Sequence, residues 1–149
     1  MSVAYNVFVG AFLNKITERD LMMIDLDERE EIVFGYMKRA IAGFKRICKY
    51  DLTSTADDDN KCFDVIIQDY DIDEIVDIVS EGMVVQWLKP YIYSQELLEN
   101  ALNTRDFTVY SPAELLLRVG NAYKAAKKDY TQMMREYSFN TRKLTDLHI

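Results

Sequence analysis

Glycine, proline, histidine and cysteine are all scarce in this chain, and each scarcity removes a class of function. The 149 residues hold five glycines, two prolines, two cysteines and one histidine. All five glycines (Gly10, Gly35, Gly43, Gly82, Gly120) fall inside stretches of helical apolar spacing. No Gly-rich turn is therefore left to present backbone amides to a nucleotide phosphate. Their expected use is close helix contact or a bend, each at about 1 kcal/mol against alanine. The single histidine, His148, is next to the last residue. Terminal segments are poorly ordered unless docked, so a Ser-His or Cys-His pair has no rigid base there. Cys48 and Cys62 make no disulfide framework. They flank a polar loop, and a pair across it is open but not expected in a reducing compartment. No apolar run reaches the roughly 18 residues of a membrane span. The apolar opening SVAYNVFVGAFLNK lacks a basic n-region and a small-x-small cleavage site. No signal peptide is expected, and the reading is an intracellular or particle context.

A basic excess is missing too. Net charge is -7 and the isoelectric point is about 4.7, which argues against a general nucleic-acid binder. The charge is uneven. Asp51 to Glu81 carries eleven acids and one base, Lys61, while Arg118 to Ile149 carries seven Lys/Arg and three acids. Two readings stand open: solvated helix faces, or charge complementarity between copies of the chain.

What is present is helical periodicity. Tyr5, Phe8, Phe12 and Ile16 recur at helical spacing from about Val3. Asp25 with Glu28 reads as a capping box before a second helix. That helix carries Ile32, Val33, Tyr36, Met37, Ala40, Ile41, Phe44 and Ile47 and runs to about Lys49. YDLTSTADDDNK, 50 to 61, is the main loop, and FDVII, 63 to 67, is a candidate strand. A third helix is expected from Asp71, with Glu74 as box partner and Tyr70 stapled to Ile75. Its buried side is Ile72, Ile75, Val79, Met83 and Trp87, and Pro90 should end or kink it. Ser94 caps a short helix, QELLENALN. In DFTVYSPAELLLRVG, four start signals coincide: Ser111 as cap, Pro112 at the first helical position, Glu114 three after the cap, and Tyr110 stapled to Leu115. The helix behind them bears Leu115, Val119, Tyr123, Ala126, Tyr130, Met133 and Tyr137, longer than a domain of this size needs. The ending SFNTRKLTDLHI reads as a non-helical tail.

The expected architecture is all-α. It is one domain over 1–137, a bundle of four to five helices with one long C-terminal helix, followed by an extended tail at 138–149. At most a minor two-strand element, from 63–67 and 107–110, accompanies it. No catalytic, cofactor-binding or metal-ligating set is expected. Asp57, Asp58 and Asp59 lack the central glycine and distal glutamate of a calcium loop, and Lys61 stands where a ligand belongs. Asp71 and Glu74, from a wider acidic set, are assigned to capping, and Asp73 and Asp77 to an exposed face. Tyr91, Tyr93, Tyr110, Tyr137 and Phe139 sit at expected helix ends or in loops, where an interface role and a core role are both open.

The stretch IVDIVSEGMVVQWLKPYIYSQELLENALNTRDFTVYSPAELLLRVGNAYKAAKKDY and the ending MMREYSFNTRKLTDLHI, with GYMKRAIAGFKRICKYDLTSTADD in support, resemble one family. It is the head–tail connector (neck or adaptor) family of tailed bacteriophages infecting low-GC Gram-positive hosts. The resemblance implies a small, mostly helical subunit without enzymatic activity or cofactor. It implies a ring of itself, about a dozen copies, docked on a portal protein and offering a platform to a stopper or tail-completion protein. DNA would pass through the channel without specific binding, and no membrane is involved. Localisation would be the head–tail interface of the virion, after synthesis in the host cytoplasm. A C-terminal tail reaching the portal or a neighbouring subunit is also implied. The residues expected to contact are Tyr137, Phe139, Arg142, Lys143, Leu144, Leu147, His148 and Ile149. Two other readings compete: an acidic regulatory or DNA-mimic protein acting on a host enzyme, and a metal-dependent nuclease using the acids near Asp71 and Asp73.

Overall fold

The structure is a computed structural model that describes residues 2–22, 24, 26–94 and 112–146, with Pro112 and residues 141–146 described by their backbone alone. Its elements are β1 (Val3–Ala4), α1 (Tyr5–Glu18), α2 (Glu30–Phe44), β2 (Ala56–Asp57), β3 (Cys62–Phe63), α3 (Asp69–Tyr93) and α4 (Pro112–Asp146). Helices dominate, and the last is the longest, as the periodicity predicts.

Helix α1 buries Tyr5, Phe8, Phe12 and Ile16, the expected stripe. It ends where Asp20 takes a left-handed conformation, φ 55°, tolerable for an aspartate. The Leu21 N–H then donates back to the Ile16 carbonyl at 3.0 Å, which satisfies an orphan carbonyl and turns buried Leu21 inward.

The small sheet differs from expectation. β3 is its centre: Phe63 pairs with Val3 and with Ala56, and Cys62 with Ala4 and Asp57, all antiparallel. Packing places this strand. Phe63 is fully buried against Tyr5 and Phe8, with ring centroids 4.7 and 5.4 Å apart. The Val65 N–H folds back onto the Phe63 carbonyl at 2.9 Å, a three-residue turn that stops the strand well short of 67. The other expected partner, 107–110, lies outside the described residues.

Helix boundaries also move. α2 starts at Glu30 without a side-chain cap and ends at Phe44, not Lys49. The Asp25 box lies outside the described residues. Asp27 instead accepts the Arg29 N–H and its guanidinium, and the Cys48 N–H closes the last turn on Phe44 O. α3 starts at Asp69, again without a side-chain cap. Tyr70 is 75% exposed and staples nothing. Pro90 does not end α3, which continues to Tyr93.

α3 is the central helix. It packs against α1, α2 and α4, so residues Ile78 to Val85 are buried on every side. A one-sided stripe could not have revealed this. The three-way crossing with α2 and α4 turns on Tyr130, whose hydroxyl donates to the Ala40 carbonyl at 2.7 Å. A Cβ on Gly82 would stand 2.8 Å from both Ala40 Cβ and the Tyr130 ring, and one on Gly43 2.7 Å from the Tyr130 oxygen. Those two glycines serve close contact, as expected. Gly10 and Gly120 face open space.

α4 begins at Pro112, as its fixed φ favours. Ser111 and Tyr110 lie outside the described residues, as does the QELLENALN segment. Leu115, Val119, Tyr123, Ala126, Tyr130 and Tyr137 are buried. The helix does not stop there. It runs 35 residues to Asp146, about 52 Å at 1.5 Å per residue, so 138–146 is helical and not an extended tail. Neither proline nor glycine interrupts that stretch, and a polar composition alone does not end a helix already nucleated.

Candidate interaction surfaces

Several acids and both cysteines of the acidic stretch and its flanks are engaged within the fold. Both cysteines are free and half-buried, and burial pushes the Cys48 thiol up, away from the thiolate a nucleophile needs. Asp51 accepts the Ser54 hydroxyl and the Ser54 and Thr53 N–H groups, which bring its carboxyl down to about 2. Asp57 accepts the side-chain amide and N–H of Asn60 and the N–H of Asp59. Asp58 accepts the Tyr5 hydroxyl at 2.8 Å and the Lys38 ammonium at 2.7 Å. Asp71, expected as a cap, instead accepts the Tyr50 hydroxyl at 2.5 Å with Lys49 3.6 Å away. Among the described residues no group of three His, Cys, Asp or Glu side chains could hold a metal ion.

Sequence reasoning missed the most deeply buried charge. Glu81 is 1% exposed in the middle of α3. Lys15 approaches one carboxylate oxygen at 3.1 Å and the Arg19 guanidinium pairs with the other. Asp77 accepts from Lys15 at 2.5 Å, and Asp129 stands 3.7 Å from Arg19. Burial opposes the Lys15 charge, but its bond to Asp77 and the nearby Glu81 outweigh burial and hold its ammonium above the ordinary value. The cluster lines a cleft of about 360 Å³ and joins α1, α3 and α4. Its charges answer one another, so it is a clamp between helices. The signal was available: a lone glutamate inside the apolar run IVSEGMVV must find a cation once that run is buried.

The expected contact residues divide. Tyr137 is core, not surface: it is 3% exposed, stacks edge-on to Phe44 at 5.0 Å, and its hydroxyl accepts the Lys49 N–H at 2.9 Å. Its large ring completes the α2–α4 seam, so it is unavailable to a partner. Leu115 is likewise buried, and Glu114 is exposed in the first turn of α4, where a helix favours a carboxylate. Phe139 is 66% exposed two residues after Tyr137, and Tyr93 is 77% exposed at the end of α3. Tyr91 is half-buried. Arg142, Lys143 and Leu144 are on the helical backbone of α4. Leu147, His148 and Ile149 lie outside the described residues. Beside Phe139, the end of α2 with the turn after it and α4 form a groove of about 550 Å³ lined by Gly43, Arg46, Ile47, Met134 and Arg135.

No helix among the described residues is long and apolar enough to cross a membrane. The chain matches no known protein family, no curated protein and no solved structure.

Proposed function

We propose that this chain is the subunit of a ring-shaped head–tail connector of a tailed bacteriophage, a structural virion protein without enzymatic activity. One observation carries the reading: α4 continues through 138–146 beyond Tyr137, its last buried side chain among the described residues, with Phe139 exposed at that point. A helix that continues past Tyr137 suits a contact outside the subunit, and a connector has to reach a portal above and a stopper or tail-completion protein below. The resemblance over residues 70 to 149 agrees in kind. Net charge of -7 also agrees, because weak or repulsive contact lets DNA slide through a channel. The engaged state of Asp51, Asp57, Asp58 and Asp71 favours a structural role over nuclease chemistry.

The expected result is that phage particles carrying an amber stop in this gene fail to retain DNA or to join tails. Normal, infectious particles from that mutant sink the proposal. The same negative charge favours an acidic DNA mimic as the second reading. It predicts recovery of a host nuclease or polymerase, not portal, when the tagged chain is pulled from infected cells.

A further inference from the structure

The groove between the end of α2 and α4 has cationic rims, and no acid among the described residues lines it. The α4 acids nearest to it, Asp129 and Glu136, line the separate cleft of Lys15 and Arg19. Arg46 and Arg135, both exposed, make no ion pair among the described residues. Between them lie Ile47, Met134 and the exposed ring of Phe139.

The complement is on the same chain. Ile66 is 64% and Tyr70 75% exposed at the entry to α3. Asp64, Asp69 and Asp73 are exposed around them and also make no ion pair among the described residues. An apolar pair ringed by acids thus faces solvent, as does an apolar groove rimmed by arginines. Exposed large apolar groups with polar rims mark association surfaces. The two surfaces do not cover each other within one subunit, since Tyr70 and Phe139 are both open. They do sit at one end of the bundle. Lys49, two residues beyond Ile47, lies 3.6 Å from Asp71 and 5.7 Å from the Tyr70 ring centroid, and its N–H bonds Tyr137.

We infer that the Ile66/Tyr70 patch of one copy docks in the Arg46/Arg135/Phe139 groove of a second copy, with Asp64, Asp69 and Asp73 opposite the two arginines. The contact is head-to-tail in character, two different surfaces meeting. Apolar burial supplies the attraction, and the charges select register and partner. A nucleic acid suits the groove less well, because its phosphates would answer the arginines but leave Phe139 and Met134 without an apolar partner.

The test is a charge exchange on the whole chain, read by sedimentation velocity. It bears on the ring proposed above but does not depend on portal, so its failure leaves that reading to the particle assay. The wild-type chain is expected to associate at about 100 µM and to lose about tenfold or more in affinity between low and high salt. Arg46→Glu with Arg135→Glu, and separately Asp69→Lys with Asp73→Lys, should each sediment as monomers while keeping wild-type helicity. Mixed one to one, they should associate again, because each reversed surface then meets a reversed partner. Tyr70→Ala, which changes no charge and removes only an exposed ring, should weaken association without altering the melting temperature. A wild-type chain that stays monomeric, reversed variants that associate as well as wild type, or a mixture that fails to recover overturns the inference. So does a monomeric chain that binds duplex DNA through Arg46 and Arg135.

Discussion

At the scale of single residues, the glycines show how one residue type takes two roles. Gly82 is at a point where α2, α3 and α4 meet, with Ala40 Cβ and the Tyr130 ring each 2.8 Å from where a Cβ would stand. Gly82→Ala is expected to destabilise the fold by about 1–3 kcal/mol, since neither neighbour is a free chain end and the crossing must open. Gly10 has nothing within 4 Å of such a Cβ. Gly10→Ala is expected to stabilise by about 0.5–1 kcal/mol through helix propensity alone. Urea midpoints of the two variants check both, and the opposite signs are the point of the comparison. In sequence the two positions look alike, a glycine within an apolar helical stripe. Only the close approach of Ala40 and Tyr130 separates them. Glu81 teaches the same lesson from the polar side: its position in an apolar run implied a buried partner, but Lys15 and Arg19 are more than sixty residues away in sequence, and nothing local named them.

At the scale of elements, stripes were legible and ends were not. The stripes of α1, α2 and α4 were readable because a helix with one buried face repeats its apolar residues. α3 was only partly readable, because neighbours on three sides erase that asymmetry. Its start at Asp69 and that of α2 at Glu30 carry no side-chain cap bond. Asp71, with the sequence of a capping residue, is taken up by Tyr50 and Lys49, a tertiary competition that local rules do not contain. The apolar stripe of α4 stops at Tyr137, yet the backbone continues to Asp146. Two truncations separate core from extension. Removing 138–149 is expected to cost under about 1 kcal/mol, since Tyr137 and its packing remain. Removing 133–149 takes away Tyr137 with its contact to Phe44 and is expected to cost about 3 kcal/mol or more. Far-UV circular dichroism through a urea titration reads both. Under the proposed function the shorter deletion also blocks assembly on the portal, a loss that stability does not explain.

At the scale of the whole molecule, ionisable groups that the fold buries or hydrogen-bonds set a pH dependence. Burial pushes the Tyr130 hydroxyl up to about 12, against about 10 in an unfolded chain. Between those values the unfolded chain gives up the proton and the folded chain keeps it. Stability is therefore fully present below about pH 10 and falls as pH rises toward 12. Lys15, raised by Asp77 and Glu81 against burial, acts in the same direction. At the acid end Asp51, at about 2 in the fold, contributes stability present above about 4 that is lost on acidification. Urea midpoints at pH 7 and 11 test this on Tyr130→Phe. The variant is expected to be less stable by about 1 kcal/mol at pH 7, where the bond to Ala40 is lost. It should fall less steeply than wild type toward pH 11. A parallel decline of the two proteins would show that Tyr130 keeps no excess proton affinity in the fold.

By itself the sequence determined that the molecule is a helical bundle, which faces of α1, α2 and α4 turn inward, and that a proline opens a long last helix. These follow from local rules, the 3.6-residue period and the restricted φ of proline, which need no knowledge of neighbours. Only the tertiary structure decided that α3 is enclosed on three sides, that Phe63 centres a three-stranded sheet with Val3 and Ala56, that Glu81 is held by Lys15 of α1 and by Arg19 just after it, and that Tyr137 belongs to the core while Phe139 does not. The reason is common to all four. Burial and ion pairing are properties of pairs distant along the chain, and a period read along one helix is silent about which helix will cover it.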